Sequence, residues 1–152
     1  MLPSNQVNLT SPVRGEIWRV NFNTPITIPT PPYGTPQSQL PTTGDEIYKI
    51  RPAVVVNIQE MWNLQLLIVV PITSWQPRFQ VNNWFWLVEI PSDLTNQLPN
   101  DSAANTFQVK SVSTQRFVQR IGMLTTQQTD LITATIAFCV GYTPPKPSPS
   151  SP

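Results

Sequence analysis

An arginine opens one apolar run of this chain and two hydroxyls close the next. Arg51 and Pro52 precede Ala53–Ile58, and Thr73 and Ser74 follow Leu64–Ile72. Both runs are short, rich in Val and Ile and nearly free of charge, the pattern of buried strands. Gln59 to Asn63 between them carry polar groups suited to a hairpin turn. Antiparallel pairing of the runs brings their outer ends together. A fixed guanidinium and two hydroxyls then converge at one edge of an apolar sheet, where all of them can donate hydrogen bonds to an anion.

Any such binding has to be local. The net charge is +1 and only 11% of residues are charged, so no bulk basic patch exists. The chain has no histidine. That excludes His-based metal sites, Ser-His and Cys-His nucleophile pairs, and cleavage of RNA by two imidazoles. Cys139 is the only cysteine, which rules out an intrachain disulfide and a Cys-rich zinc site. Set between Phe138 and Val140, it reads as a buried, inert thiol. Neither a metal nor a cofactor is expected. The N-terminus lacks the basic start and apolar stretch of a secretory signal, and no run reaches membrane-spanning length. The expectation is a cytoplasmic protein without a membrane partner.

At 152 residues the chain suits one domain. Residues 1–12 read as a loose arm. Arg14–Phe22 alternates apolar and polar residues and forms a first strand. A Pro-rich loop follows over 23–45, and the hairpin runs from 49 to 74. Trp75 to Asn83 reads as a polar connection, Trp84–Ile90 as an aromatic strand and Pro91 to Thr106 as a loop. Phe107–Val112 is a further alternating strand, Ser113 to Phe117 one helical turn, and Val118–Ile121 a short strand ending at Gly122. Thr125 and Gln128 form a capping box for a last helix. Its apolar face holds Leu131, Ile132, Ile136, Phe138 and Val140, and Gly141 is placed to stop it. The expected fold is mainly β: a small antiparallel barrel of five or six strands with a C-terminal α-helix. The domain spans 13–142 and a disordered Pro/Ser tail spans 143–152.

Several of these segments, in this order, carry a resemblance. They are RGEIWRV from Arg14, GDEIYKIRPAVVV from Gly44, VVPITS from Val69, QVKSV from Gln108 and RFVQRIG from Arg116. Together with the closing helix the chain resembles the MazF/PemK family of toxin endoribonucleases, from Arg14 to about Gly141. The resemblance implies an SH3-like barrel that forms a homodimer, cuts single-stranded RNA such as mRNA without a metal, and is inhibited by a cognate antitoxin peptide. It places the family arginine on Arg51, the threonine on Thr73 and an acidic position on Glu46, as catalytic residues. RNA contacts fall on Lys49, Ser74, Trp75, Lys110 and Arg116. Two departures stand out. The position that is often acidic before the Q-x-R motif is Phe107, with Lys110 replacing the motif's arginine, and the Pro-rich loop is longer than usual.

Metal-free cleavage uses the neighbouring 2′-OH as nucleophile. Arg51 suits stabilisation of the phosphorane as a two-pronged clamp. Thr73, with Ser74, adds hydroxyl donors. The base falls to Glu46 or Asp45. Plainer readings stand beside each assignment. Arg51 can pair with Glu46 on the surface, and Thr73 can satisfy a strand end. Lys110, Arg116 and Arg120 form either a phosphate track or a solvated face. Trp75 is a candidate for stacking a base, whereas Trp18, Trp84 and Trp86 read as core. Phe107 and the low charge also favour an alternative, a catalytically weak or inactive barrel that binds RNA or protein. In a third reading the Pro-rich loop and tail are recruitment peptides.

Overall fold

The computed structural model describes residues 11–23, 46–58 and 64–149. The arm through residue 10, the Pro-rich stretch 24–45 with Asp45, the hairpin tip 59–63 and residues 150–152 lie outside them.

The strands are β1 (Glu16–Asn21), β2 (Ile50–Val55), β3 (Leu66–Ser74), β4 (Leu87–Ile90), β5 (Ser102–Asn105), β6 (Lys110–Ser113) and β7 (Phe117–Met123). Among the described residues a short helix, α1 (Pro77–Val81), a long one, α2 (Thr126–Cys139), and two 3-10 turns complete the regular structure. The sheet is antiparallel in every pairing, in the order β4-β5-β3-β2-β1-β7, with β6 also on β3. The expected hairpin is present: Val54 lies opposite Val70 and Val55 opposite Val69.

The run of valines reflects burial on both faces of β2. Val54 and Val56 pack with Ile17, Val70, Ile72, Ile90, Leu124 and Ile132 in one core. Ala53 and Val55 pack with Trp18, Val20, Phe22, Val69 and Val112 in another. A strand covered on both sides loses the polar alternation of a solvated one. Trp18 joins this second core edge-on to Phe117, as its core reading expected.

Several expectations need correction. Seven strands form, not five or six, and the sheet stays open, because no ladder joins β7 to β4 or β6 among the described residues. The stretch 91–106 is not all loop. Ser102, Ala103 and Ala104 are buried in β5, where small side chains fit under cover. The polar connection after Trp75 contains α1, started by Pro77 in the first turn, where its missing N–H costs nothing. Strand β4 begins only at Leu87, and Phe107 sits in a 3-10 turn, Thr106–Gln108, ahead of β6.

The C-terminal helix forms as its signals require. Thr125 accepts from the Gln128 backbone while the Gln128 side chain accepts from the Thr125 backbone. Gly141 follows at φ +84°, the left-handed conformation of a helix stop. Only Thr129 and Ile132 are fully buried on this helix, whereas Leu131 and Phe138 are exposed. Arg14 ties it to the start of β1 through Asp130, at 3.1 Å.

Candidate functional site

Strand β3 changes neighbours along its length. Leu66–Val69 pair with β6, Val69–Pro71 with β2 and Ile72–Ser74 with β5. The β2–β3 ladder ends at Ala53 opposite Pro71. Pro52, the next residue on β2 to face β3, has no backbone donor to offer, and the two strands part there. Continued by two residues, the register would set Arg51 opposite Thr73. Instead the separation leaves a groove with Arg51 on one lip and Thr73 on the other.

Both residues line two adjoining cavities. One, of about 220 Å³, is also walled by Glu46, Tyr48, Asn105 and Gln108. The other, of about 140 Å³, runs under Pro99 and Asn100 and reaches Ser74 and Ser102. The three residues assigned to catalysis, Glu46, Arg51 and Thr73, thus share one concave surface. Arg51 is half-buried, donates from Nε to the Tyr48 carbonyl at 3.2 Å and stacks over the Tyr48 ring at 5.8 Å. It belongs to neither ion pair formed among the described residues, so the plain pairing with Glu46 is not made. Among the described residues no carboxylate oxygen lies within 4 Å of its guanidinium. Asp45 lies outside the described residues.

The residues assigned to RNA contact divide. Ser74 reaches the smaller cavity. Lys49 is exposed beside the site, with its ammonium 5.0 Å from the Tyr48 ring centroid. Lys110 pairs with Val69, four residues before Thr73 along β3, which is about 13 Å of strand. Arg116 spends its Nη1 donors on the carbonyls of Asn21 and Asn23, at 2.9 and 2.7 Å. Arg120 is paired with Glu16. Trp75 packs edge-on against Phe79, ring centroids 5.5 Å apart, and lines none of the cavities described here. Cys139 is half-buried, with Sγ 3.7 Å from the Thr106 hydroxyl.

The sequence reading missed a third cavity, of about 590 Å³, that opens beside Thr73. Its walls include Trp84, Trp86 and Phe107, with Asn105 and Gln108 between it and the Arg51 groove. The density of aromatic residues in Trp84–Trp86 was the available signal. Among the described residues no group of three or more His, Cys, Asp or Glu side chains is placed to hold a metal ion, and no helix is long and apolar enough to cross a membrane.

The fold has close counterparts among solved structures. MazF from Deinococcus radiodurans superposes with a TM-score of 0.61 at 17% identity, over 87% of this chain and 98% of that one. A MazE–MazF complex from the same organism gives 0.58 at 15%, over 88% and 98%. An endoribonuclease in complex with its cognate antitoxin, from a mycobacterial species, gives 0.56 at 13%, over 88% and 99%. No curated protein matches the chain. The sequence signature of one family matches residues 37–140, across both lips of the groove and the closing helix. The chain belongs to the PemK-like, MazF-like toxins of type II toxin–antitoxin systems.

Proposed function

We propose that this toxin is a metal-independent endoribonuclease acting on single-stranded RNA. The observation that carries the reading is the shared wall of one cavity by Arg51, Thr73 and Glu46. The scissile phosphate lies between the lips of the groove. Glu46 takes the proton of the 2′-OH, whose oxygen attacks phosphorus. Arg51 and the Thr73 hydroxyl donate to the two non-bridging oxygens as charge builds on them. A guanidinium holds its proton too tightly to serve as an acid, so the leaving 5′-oxygen takes its proton from water in the open groove. A cognate antitoxin peptide is the partner, in line with the antitoxin-bound structures of similar fold. The protein works as a homodimer in the cytoplasm, an assembly supported by the exposed apolar Leu131, Phe138 and Val140.

A second reading keeps the groove and drops the chemistry. Phe107, at the position where an acid is common in the family, is 70% exposed and faces the third cavity. That favours a barrel that binds RNA and does not cut it. Incubation of single-stranded RNA with the parent and with Arg51→Ala in EDTA separates the two. Cleavage by the parent alone supports the nuclease. Equal cleavage by both proteins overturns the site, and no cleavage at high protein concentration supports the binding module.

A further inference from the structure

The 590 Å³ cavity has no part in the proposed chemistry, yet it shares Thr73, Asn105 and Gln108 with the cavity that holds Arg51 and Glu46. Its volume falls in the range of about 300–1,000 Å³ typical of small-ligand pockets. One wall is a stack of rings. Phe79 and Trp84 lie 5.8 Å apart at 29°, and Trp84 and Trp86 lie 5.9 Å apart at 21°. Phe107 stands across from Trp86 at 6.4 Å and 65°. A large ring left open to solvent beside half-buried tryptophans is an unfilled apolar surface. Within the same wall, the Asn105 side-chain carbonyl is buried without a hydrogen-bond partner among the described residues. A buried acceptor left unpaired is costly and rare, and a turn of the half-buried Asn105 amide toward the cavity presents it to a flat, apolar ligand that carries an N–H at its edge.

We infer that a nucleobase of the RNA, from a nucleotide adjoining the scissile phosphate, stacks on the exposed Phe107 ring beside Trp86 and hydrogen-bonds the Asn105 side-chain amide. The inference rests on the single-stranded RNA reading above. Base and phosphate are covalently joined, so a strand whose phosphate sits between Arg51 and Thr73 brings an adjacent base within reach of the recess that shares Thr73. Aromatic faces are the general means of holding an unpaired base. Each base carries its N–H at a different place on its edge, so the fixed position of the Asn105 amide distinguishes among them. Arg78 extends the track. Its guanidinium sits 5.8 Å from the Phe79 ring and 5.8 Å from the Trp84 ring and is in no ion pair among the described residues, which leaves it for the next phosphate. Asn105 and Phe107 are thereby specificity-determining residues, and the aromatic ring at 107 replaces an acid with a stacking surface.

The test compares the parent with Phe107→Ala, whose exposed ring supports no core, and with Asn105→Ala as a second variant. Cut sites in a random-sequence RNA pool are read by sequencing. Binding of a non-cleavable 2′-O-methyl oligonucleotide is followed by tryptophan fluorescence. The expected parent shows quenching and a preferred base at one position beside the cut. Both variants lose that preference, Phe107→Ala binds roughly 5- to 150-fold more weakly, and Phe107→Trp restores both. A parent that binds with quenching but does not cut overturns the nuclease reading and leaves the base site standing, provided the variants bind more weakly. Cleavage with unchanged preference and affinity in the variants overturns the base site and leaves the nuclease. Variants that lose an antitoxin peptide while treating RNA as the parent does also overturn it, in favour of a peptide pocket. A parent that neither binds nor cuts overturns both.

Discussion

Arg51 and Thr73 line the same two cavities although no ladder bond joins their strands at that level. Strand β2 delivers the guanidinium and β3 the hydroxyl, each just beyond the last paired residues, Ala53 and Pro71. Arg51→Ala is therefore expected to lower the cleavage rate by about 10²–10³, the loss typical for one donor to a developing oxyanion. Among the described residues its half-buried side chain bonds only the nearby Tyr48 carbonyl, so a circular-dichroism melt should stay close to that of the parent. Arg51→Lys should recover little, since an ammonium lacks the two-pronged fork.

Thr73 admits a sharper comparison. Thr73→Ser keeps the hydroxyl and Thr73→Val keeps the shape. Rates on a single-stranded oligonucleotide should stay within a few-fold of the parent for Ser and fall by about 10²-fold for Val. Equal rates for the two variants would assign Thr73 to the strand end alone.

Glu46 is the carboxylate that shares the cavity with both. As a general base its loss should cost about 10²–10⁴ in rate. Glu46→Gln, measured by single-turnover cleavage in EDTA, checks it. A rate within three-fold of the parent would move the base elsewhere.

Arg116 is a scaffold residue in this structure. Its donors hold the carbonyls of Asn21 and Asn23 at the end of β1. Arg116→Ala should lower unfolding free energy by about 2 kcal/mol, the scale of charge-assisted hydrogen bonds, and leave KM for RNA nearly unchanged. A shift in KM and its salt dependence without a loss of stability would return Arg116 to the phosphate track.

Gly122 marks a close approach. A Cβ there would stand 2.8 Å from the Thr95 carbonyl oxygen and closer still to that of Asn96. Asn96 is fully buried and cannot yield readily, because its side chain bonds the Asp93 and Leu98 amides and the Pro91 carbonyl. Gly122→Ala should destabilise the fold by at least about 1–3 kcal/mol, read as a lowered denaturation midpoint.

The parts of this fold with strong local signals were legible in the sequence. The Val-rich hairpin, the capping box at Thr125 and the glycine stop at Gly141 all appear as read. The segments that were missed have weak signals of their own. Strand β5 reads Ser-Ala-Ala-Asn, a poor strand former that is held by pairing with β3 and β4. The convergence of Arg51 with Thr73 followed from pairing alone. The aromatic cavity did not, because tryptophans at 84 and 86 look like core until α1 and the 3-10 turn at Phe107 are placed around them.

Strand β3 meets β6, β2 and β5 in turn, and Thr73 lies in the last of these pairings. Its partners come from both sides in sequence, so the hydroxyl reaches its station only once distant parts of the chain have closed on a single ribbon. Pairings between distant parts of a chain are slow to form. The groove beside Thr73 is thus a property of the completed sheet, and a chain with any one of these ladders open has no such groove.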